Sequence, residues 1–217
     1  MPFKNREEAA RLLAEKLVQY KGQNPLILGI PRGAVPMAKI IADFLEGDLD
    51  VALVHKLRAP YQPELAIGSV DETGHVYLGK YARAPGVDEA YIAEEKETQV
   101  EALRRRRALL TPIHPPISPI DRIVIVVDNG VATGASMIAA LRAVRVRRPK
   151  RLIASMAVAP YESLQEIKKL SDEVVCLEVP ADFYAVGQFF EEFRQVSDEE
   201  VAAILRENRS ASGRIPP

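Results

Sequence analysis

Nine consecutive residues, DNGVATGAS at 128–136, have types and a spacing that suit the binding of a phosphate. The stretch opens a predicted helix, and the N–H groups at a helix start lack intrahelical partners and favour anions. Gly130 and Gly134 allow the backbone to curve closely around an anion, because neither carries a Cβ atom. Thr133 and Ser136 add hydroxyl donors. The stretch therefore predicts a phosphate-binding turn between a strand and a helix.

Asp128 stands at the start of this turn, directly after the apolar run RIVIVV. Ligands of open parallel sheets bind at the carboxyl ends of the strands, so this carboxylate is placed to accept hydrogen bonds from sugar hydroxyls. A Walker A loop is excluded because Ala135, not Lys, follows Gly134, and the glycine spacing does not fit a dinucleotide-binding loop. A tight turn without a ligand is the alternative that the loop alone leaves open.

A second turn with phosphate-binding character, PRGAVP at 31–36, follows the apolar run PLILGI. Arg32 offers a planar fork of donors that suits phosphate oxygens. Gly33 lets backbone amides approach a ligand closely. An arginine in an ordinary strand-to-helix turn is the alternative interpretation.

The elements that must position these turns alternate as in a β-α-β fold, which predicts an α/β protein with a three-layer, doubly wound, mostly parallel sheet. Helices are predicted at 5–20 with Asn5 as the cap, and at 37–45, 88–110, 137–146, 162–170 and 198–207 with Ser197 as the cap. Strands are predicted at 25–30, 49–57, 122–127, 151–160 and 173–178, with a hairpin at 66–70 and 75–78. The stretch 58–63 has two prolines and no periodicity, which predicts a mobile loop.

Composition and charge exclude several classes of function. The 217 residues include 29 basic and 30 acidic side chains, so no overall field favours nucleic acid or an anionic membrane. We therefore expect neither partner, and we predict that the arginines at 104–107 and 142–151 lie on solvated helix faces. The single cysteine, Cys176, excludes an internal disulfide, and the three histidines lack metal-ligand spacing. No apolar run approaches the roughly 20 residues of a membrane span, and the charged start is unlike a signal peptide, so a cytoplasmic protein is expected.

The segment VIVVDNGVATGAS resembles the motif that binds 5-phosphoribosyl-1-pyrophosphate (PRPP) in type I phosphoribosyltransferases. The resemblance extends more loosely over residues 25–160. It implies that Asp128 contacts the ribose 2- and 3-hydroxyls and that the loop binds the 5-phosphate. The substrate-binding loop then comprises Asp128, Asn129, Gly130, Val131, Ala132, Thr133, Gly134, Ala135 and Ser136. Many members have a second acid where this chain has Asn129, so acid–base work by that residue is not implied.

The same resemblance assigns roles to two other stretches. It makes Arg32 and Gly33 part of a pyrophosphate loop, with a non-proline cis peptide at one of them. It places Lys56 and Arg58 at the exit of a strand, where they would neutralise the leaving pyrophosphate, followed by a flexible catalytic loop. Tyr61 and Glu64 are candidates for that lid. Solvated loop residues are the alternative for all four.

The resemblance also divides the chain into a core at 1–178, a hood segment with the closing helix at 179–209, and a tail at 210–217. Five of the thirteen Phe and Tyr residues fall in the hood: Phe183, Tyr184, Phe189, Phe190 and Phe193. An aromatic platform there would stack a planar acceptor, with Phe183 and Tyr184 as the candidate contacts. The alternative is a hydrophobic cluster that anchors the closing helix.

The function implied by the resemblance is transfer of the phosphoribosyl group of PRPP to a nitrogenous acceptor, a nucleobase, with loss of pyrophosphate. Lys56, Arg58 and Asp128 are the candidate catalytic residues. Mg²⁺ is the expected cofactor, held mainly through PRPP, with Asp128 as the candidate protein ligand. Two alternatives stay open: a PRPP-binding regulator without transferase activity, and an enzyme acting on another ribosyl phosphate. Dimers are common on this fold, but the sequence identifies no homodimer interface and no specific acceptor.

Overall fold

The computed structural model describes residues 2–79 and 81–211, apart from the side chains of residues 63, 64 and 209–211. Within these residues, the strands are β1 (Leu26–Gly29), β2 (Asp48–Val51), β3 (Val54–Ala59), β4 (Gln62–Asp71), β5 (Val76–Leu78), β6 (Ile123–Asp128), β7 (Arg151–Val158) and β8 (Glu173–Glu178). The α-helices are α1 (Arg6–Lys16), α2 (Val35–Leu45), α3 (Glu89–Leu110), α4 (Ala135–Arg145), α5 (Tyr161–Lys168) and α6 (Asp198–Ala211). No described helix has the length and apolar character to cross a membrane.

The main sheet has five parallel strands in the spatial order β2-β1-β6-β7-β8. Successive residues of the central strand β6 face opposite layers, because side chains alternate along a strand. Ile125 and Val127 pack with α1 and α2, whereas Val124 and Val126 pack with α4 and α5. Helices therefore cover both faces, which explains why the central strands are continuous apolar runs. The predicted three-layer, doubly wound α/β fold is confirmed.

A second sheet of three antiparallel strands, β3-β4-β5, stands beside the main one. The predicted strand at 49–57 is two strands, because the chain leaves the main sheet after Val51 and starts β3 at Val54. The predicted mobile loop at 58–63 is wrong in this structure. Those residues belong to the β3–β4 hairpin, with Ala59 opposite Gln62. The ladder accommodates the second proline at a register shift, since the next partners are Arg58 and Ala66.

The helix predictions hold with local corrections. Asn5 caps α1 by accepting a hydrogen bond from the N–H of Glu8, but the α-helix ends at Lys16 and a short 3₁₀ turn follows at Val18–Tyr20. Ser197 accepts a hydrogen bond from the N–H of Glu200, as a capping residue does. The hairpin at β4 and β5 and the strand β8 lie where they were predicted.

The prediction of a solvated arginine group at 104–107 is wrong for Arg107. Its guanidinium donates to both carboxylate oxygens of Glu72, at 2.6 and 3.1 Å. It also lies 3.6 Å from the buried Asp50. Burial raises the pKa of Asp50, opposed by its backbone hydrogen bonds and by Arg107. Arg107 therefore ties α3 to the β4–β5 turn and to β2, because a buried carboxylate needs a charged partner.

The hood segment packs against the start of the chain. The N–H of Phe3 donates to the carbonyl of Phe189 at 2.8 Å, and the N–H of Glu191 donates to the carbonyl of Phe3 at 2.9 Å. These bonds hold the hood over the amino end of α1, on the side of the sheet where α1 and α2 lie. The division of the chain at residues 178 and 209 stays a prediction.

Candidate active site

The turn between β6 and α4, residues 128–136, is the phosphate turn predicted from the sequence. The backbone amides at the start of α4 form an open cradle within it, which we call the phosphate cradle. Gly134 precedes α4 with a φ of 83°, a left-handed conformation that favours glycine, and no side chain caps the helix. Two bonds hold the turn in place: the N–H of Val131 donates to the carbonyl of Val158 at 2.8 Å, and the hydroxyl of Ser163 donates to the carbonyl of Ala132 at 2.7 Å. Among the described residues, no backbone acceptor meets the N–H groups of 133–136. These amides are therefore available to an anion.

Asp128 ends β6 and is only partly exposed at the edge of this cradle. Burial raises the pKa of its carboxyl group to about 7, although the backbone N–H groups of Asn129 and Gly130 and the charge of Lys56 act in the opposite direction. The carboxylate is thus poorly solvated in the free protein. A carboxylate in this position can accept hydrogen bonds from the hydroxyl donors of a ligand.

The turn after β1 approaches the phosphate cradle closely. The peptide bond between Pro31 and Arg32 is cis, as predicted. A Cβ atom on Gly33 would lie 2.7 Å from Oδ1 of Asn129, so a side chain at residue 33 would displace the amide of Asn129 from its observed position. The side chain of Arg32 contacts an acid of α6. Its Nη1 atom lies 3.8 Å from Oδ2 of Asp198 in α6.

The predicted basic residues line a cleft next to the cradle, which we call the basic cleft: Ile30, Pro31, Leu53, Val54, His55, Lys56, Arg58, Gln99, Arg106 and Ser136. Lys56 and Arg58 lie inside β3, not at the exit of a strand as predicted. Alternation puts both on the exposed face of β3, while Leu57 between them is buried. The structure therefore brings Lys56 and Arg58 together with Ser136 of the phosphate turn.

The structure does not test the assignment of Tyr61 and Glu64 to a lid. Tyr61 lies at the tip of the β3–β4 hairpin and is 79% exposed. The side chain of Glu64 lies outside the described residues. Their assignment to a lid stays a prediction.

The five hood aromatics separate into two groups. Phe190 stacks on Phe193 with ring centroids 4.9 Å apart and contacts Phe3 at 5.5 Å, which is the anchoring cluster of the alternative interpretation. Phe183 stacks on Phe189 at 5.5 Å, and Tyr184 is 88% exposed. A candidate acceptor surface is thus limited to the Phe183–Phe189 pair and Tyr184.

Gly130 joins the hood to the phosphate turn. A Cβ atom there would lie 2.5 Å from Cγ1 of Val186 and 2.8 Å from Cγ1 of Val158. Glycine at this position therefore allows the hood segment to sit directly on the turn between β6 and α4. The sequence interpretation explained this glycine by the ligand alone, whereas packing of the protein also requires it.

Two basic side chains near the site were not singled out by the sequence. Arg106 had been assigned to a solvated helix face, yet it lines the basic cleft. Arg6 stacks on Phe193, with 3.9 Å from its guanidinium carbon to the ring centroid, and its Nη1 atom donates to the carbonyl of Arg194. Its Nη2 atom lies 3.3 Å from the Cβ position of Gly33. Burial, and then the charge of Arg194, lower the pKa of Arg6. No sequence signal distinguishes either arginine from other helical arginines.

The residues of the cradle suit a Mg²⁺ ion that takes most of its ligands from the substrate and few from the protein. Among the described residues, no cluster of three or more His, Cys, Asp and Glu side chains forms a metal site. Asp128 is the carboxylate that ends β6, and Asn129 stands where a second acid would be. Mg²⁺ commonly takes one or two protein carboxylates together with waters and phosphate oxygens. The donor set therefore fits such an ion with Asp128 as its protein ligand.

Comparisons with known proteins agree with this geometry. A family model described as the phosphoribosyl transferase domain matches residues 3–192. Two Mycobacterium tuberculosis proteins, from strains CDC 1551 and H37Rv, are named as candidate phosphoribosyl transferases and are 38% identical over 204 residues. Those matches cover 94% of this chain and 46% of each relative, so the chain spans about half the length of the curated relatives it matches.

A solved structure supports the same conclusion about the fold. The crystal structure of TT1426 from Thermus thermophilus superposes with a TM-score of 0.83 at 42% identity, and the match covers 95% of this chain and 99% of that one. With the family model extending over residues 3–192, from before α1 into the hood, the protein belongs to the type I phosphoribosyl transferase family.

Proposed function

We propose that this protein transfers the 5-phosphoribosyl group of PRPP to a nitrogen atom of an acceptor and releases pyrophosphate. The observation that carries the proposal is the uncapped start of α4, with Asp128 at the end of the preceding strand. Unpaired amides at the start of the helix suit the 5-phosphate, and the carboxylate at the end of the preceding strand suits the ribose hydroxyls. Family membership supports the same substrate.

In the proposed reaction, the acceptor nitrogen forms a bond to ribose C1 as the bond from C1 to the pyrophosphate oxygen breaks. The acceptor loses a proton to solvent or to a basic group, and the electron pair of the broken bond goes to pyrophosphate. The amides of 133–136 and the carboxylate of Asp128 would hold the ribose in place. Holding both reactants in the attack geometry supplies much of the rate of such reactions.

Lys56 and Arg58 would stabilise the charge that develops on the leaving pyrophosphate, because both project from the exposed face of β3 into the basic cleft. Mg²⁺, when bound through pyrophosphate oxygens and Asp128, would neutralise part of the same charge. The charge of Lys56 also acts on Asp128, so it would help to keep that carboxylate ionised when substrate is bound.

A nucleobase is the acceptor we propose, with Phe183 and Tyr184 as its candidate contacts in the hood. The hood rests on the phosphate turn through Gly130 and Val186, so an acceptor beneath it would lie near ribose C1. A planar base would stack on the exposed face of the Phe183–Phe189 pair or on Tyr184.

The alternative is a regulator that binds PRPP without transferring it. Asn129 favours this alternative, because many family members have a second acid at this position and this chain has an uncharged amide. Both functions require PRPP binding, and they differ only in turnover.

The test is PRPP binding by isothermal titration calorimetry with Mg²⁺, combined with pyrophosphate release across purines, pyrimidines and small amines. Release that depends on one acceptor supports the transferase. Micromolar PRPP binding without release for any acceptor supports the regulator. If the protein does not bind PRPP at millimolar concentration, both functions are wrong.

A further inference from the structure

One carboxylate at the start of α6 joins two arginines from distant parts of the chain. Oδ1 of Asp198 lies 3.2 Å from Nη2 of Arg106 in α3. Oδ2 of Asp198 lies 3.8 Å from Nη1 of Arg32, next to the cis peptide after β1. Both arginines are thus turned toward the protein's own acid.

Arg106 lies in a setting that suits an anion. It lines the basic cleft together with Lys56, Arg58 and Ser136, and no carboxylate is present among the described lining residues. Asp198 is therefore the anion that the structure shows in contact with Arg106 at this cleft. Three cations around one cleft repel each other unless an anion lies between them.

The ion pairs of Asp198 are weak enough to exchange. The side chains of Asp198 and Arg32 are 47% and 45% exposed, and that of Arg106 is 29% exposed. Water screens pairs that are this exposed, so they contribute little to stability. A pyrophosphate group carries several negative charges and offers many oxygens to arginine forks, so it binds such arginines more strongly than a single carboxylate does.

We propose that Arg106 is a further pyrophosphate-binding residue and that Asp198 competes with pyrophosphate for Arg106 and Arg32. The inference rests on the proposed function, because it places the pyrophosphate of PRPP in the basic cleft. In the free protein, Asp198 holds the two arginines in position and offsets their charge. When pyrophosphate enters, both arginines turn from Asp198 to the phosphate oxygens.

The first experiment measures the affinity for inorganic pyrophosphate and for PRPP in Arg106→Ala. We expect the Kd for both ligands to rise by about 5-fold, the effect of losing one exposed charge-assisted contact. Arg105→Ala is the matched control, because Arg105 is the neighbouring arginine of α3, is 77% exposed, and pairs with Glu101. That control should bind both ligands as the wild type does.

The second experiment uses Asp198→Asn, which removes the competing charge and keeps the size of the side chain. We expect the Kd for pyrophosphate to fall by about 2- to 3-fold at low salt and the difference to shrink at high salt. Asp43→Asn is the control, since Asp43 forms an exposed ion pair with Lys39 on α2, away from the cleft. A role of Asp198 limited to anchoring α6 would lower the melting temperature without tightening the ligand.

The outcomes separate the inference from the function. Weaker binding in Arg106→Ala together with tighter binding in Asp198→Asn supports the inference. If the wild type binds PRPP but Arg106→Ala binds pyrophosphate equally well, the inference is overturned while the proposed function stands. If Asp198→Asn weakens pyrophosphate binding, competition is overturned. A wild type that binds neither ligand overturns the proposed function and the inference with it.

Discussion

The phosphate turn at 128–136 and the basic cleft face the two ends of the proposed substrate, but the chain builds them in opposite ways. The turn is contiguous, and its donors are mostly backbone amides, which truncation of a side chain leaves in place. The cleft takes Pro31, Lys56, Arg106 and Ser136 from four separate elements, and its donors are side chains. In the turn, we therefore expect substitutions of only a few residues to lower PRPP affinity strongly. In the cleft, several basic side chains supply the positive charge together, so the loss of any one of them should lower PRPP affinity moderately.

The largest effect is expected from Asp128→Asn. This change removes the carboxylate that is proposed to accept from the ribose hydroxyls, and hydrogen bonds to charged groups contribute about 1.5–3 kcal/mol each. PRPP affinity should fall by about 100-fold, as calorimetry would show. Asp121→Asn, at the opposite end of β6 and exposed, should bind PRPP normally. An Asp128→Asn variant with wild-type affinity would mean that the ribose lies elsewhere.

A smaller loss is expected from Thr133→Ala. The amides of the turn stay in place, and only one exposed hydroxyl donor to the phosphate is lost. PRPP affinity should fall by about 10-fold, which corresponds to about 1.4 kcal/mol. Thr98→Ala, at an exposed position of α3, is the matched control and should leave the Kd unchanged. An equal loss in both variants would contradict a specific phosphate contact.

The raised pKa of Asp128 predicts a pH effect on stability that originates in the turn. Its pKa is about 7 in the folded chain and about 3.9 in an unfolded one. Between these values the folded state holds a proton that the unfolded state has released, so this group lowers the free energy of unfolding as pH rises.

Asp128→Asn removes this penalty. Without ligand, its melting temperature relative to the wild type should therefore increase by roughly 3–6 °C from pH 6 to pH 8, the shift expected for about 1.4 kcal/mol in a chain of this size. Scanning calorimetry at several pH values would measure it. A difference between the two proteins that is constant with pH would show that the pKa of Asp128 is not raised in the folded chain.

The smallest effect is expected from Tyr184→Ala in the hood. The side chain is 88% exposed and lies on neither the phosphate turn nor the basic cleft, so PRPP affinity should stay within about 2-fold of wild type. With an acceptor identified, the KM for that acceptor should rise while the KM for PRPP does not. A change in PRPP affinity alone would place the tyrosine at the donor site and weaken the distinction between hood and cradle.

The sequence predicted the backbone structure of the two turns well, because each turn depends on local rules. The turn after β6 and the turn after β1 were both placed correctly, since short apolar strands followed by glycine-rich turns have a direct backbone interpretation. Lys56 and Arg58 were identified as candidate basic residues, but they were predicted at the exit of a strand and lie inside β3. The prolines near Arg58 suggested a loop, whereas the tertiary structure stabilises a hairpin there.

By itself, the sequence determined the layer order of the fold, the phosphate turn and the position of Asp128, because these follow from periodicity and from the chemistry of adjacent residues. Only the tertiary structure decided that Arg106 lines the cleft while its neighbour Arg107 is buried against Glu72, and that Asp198 meets Arg32 from the far end of the chain. Such pairings depend on how α3 and α6 pack against the two sheets. Long-range packing of this kind leaves no local pattern along the chain.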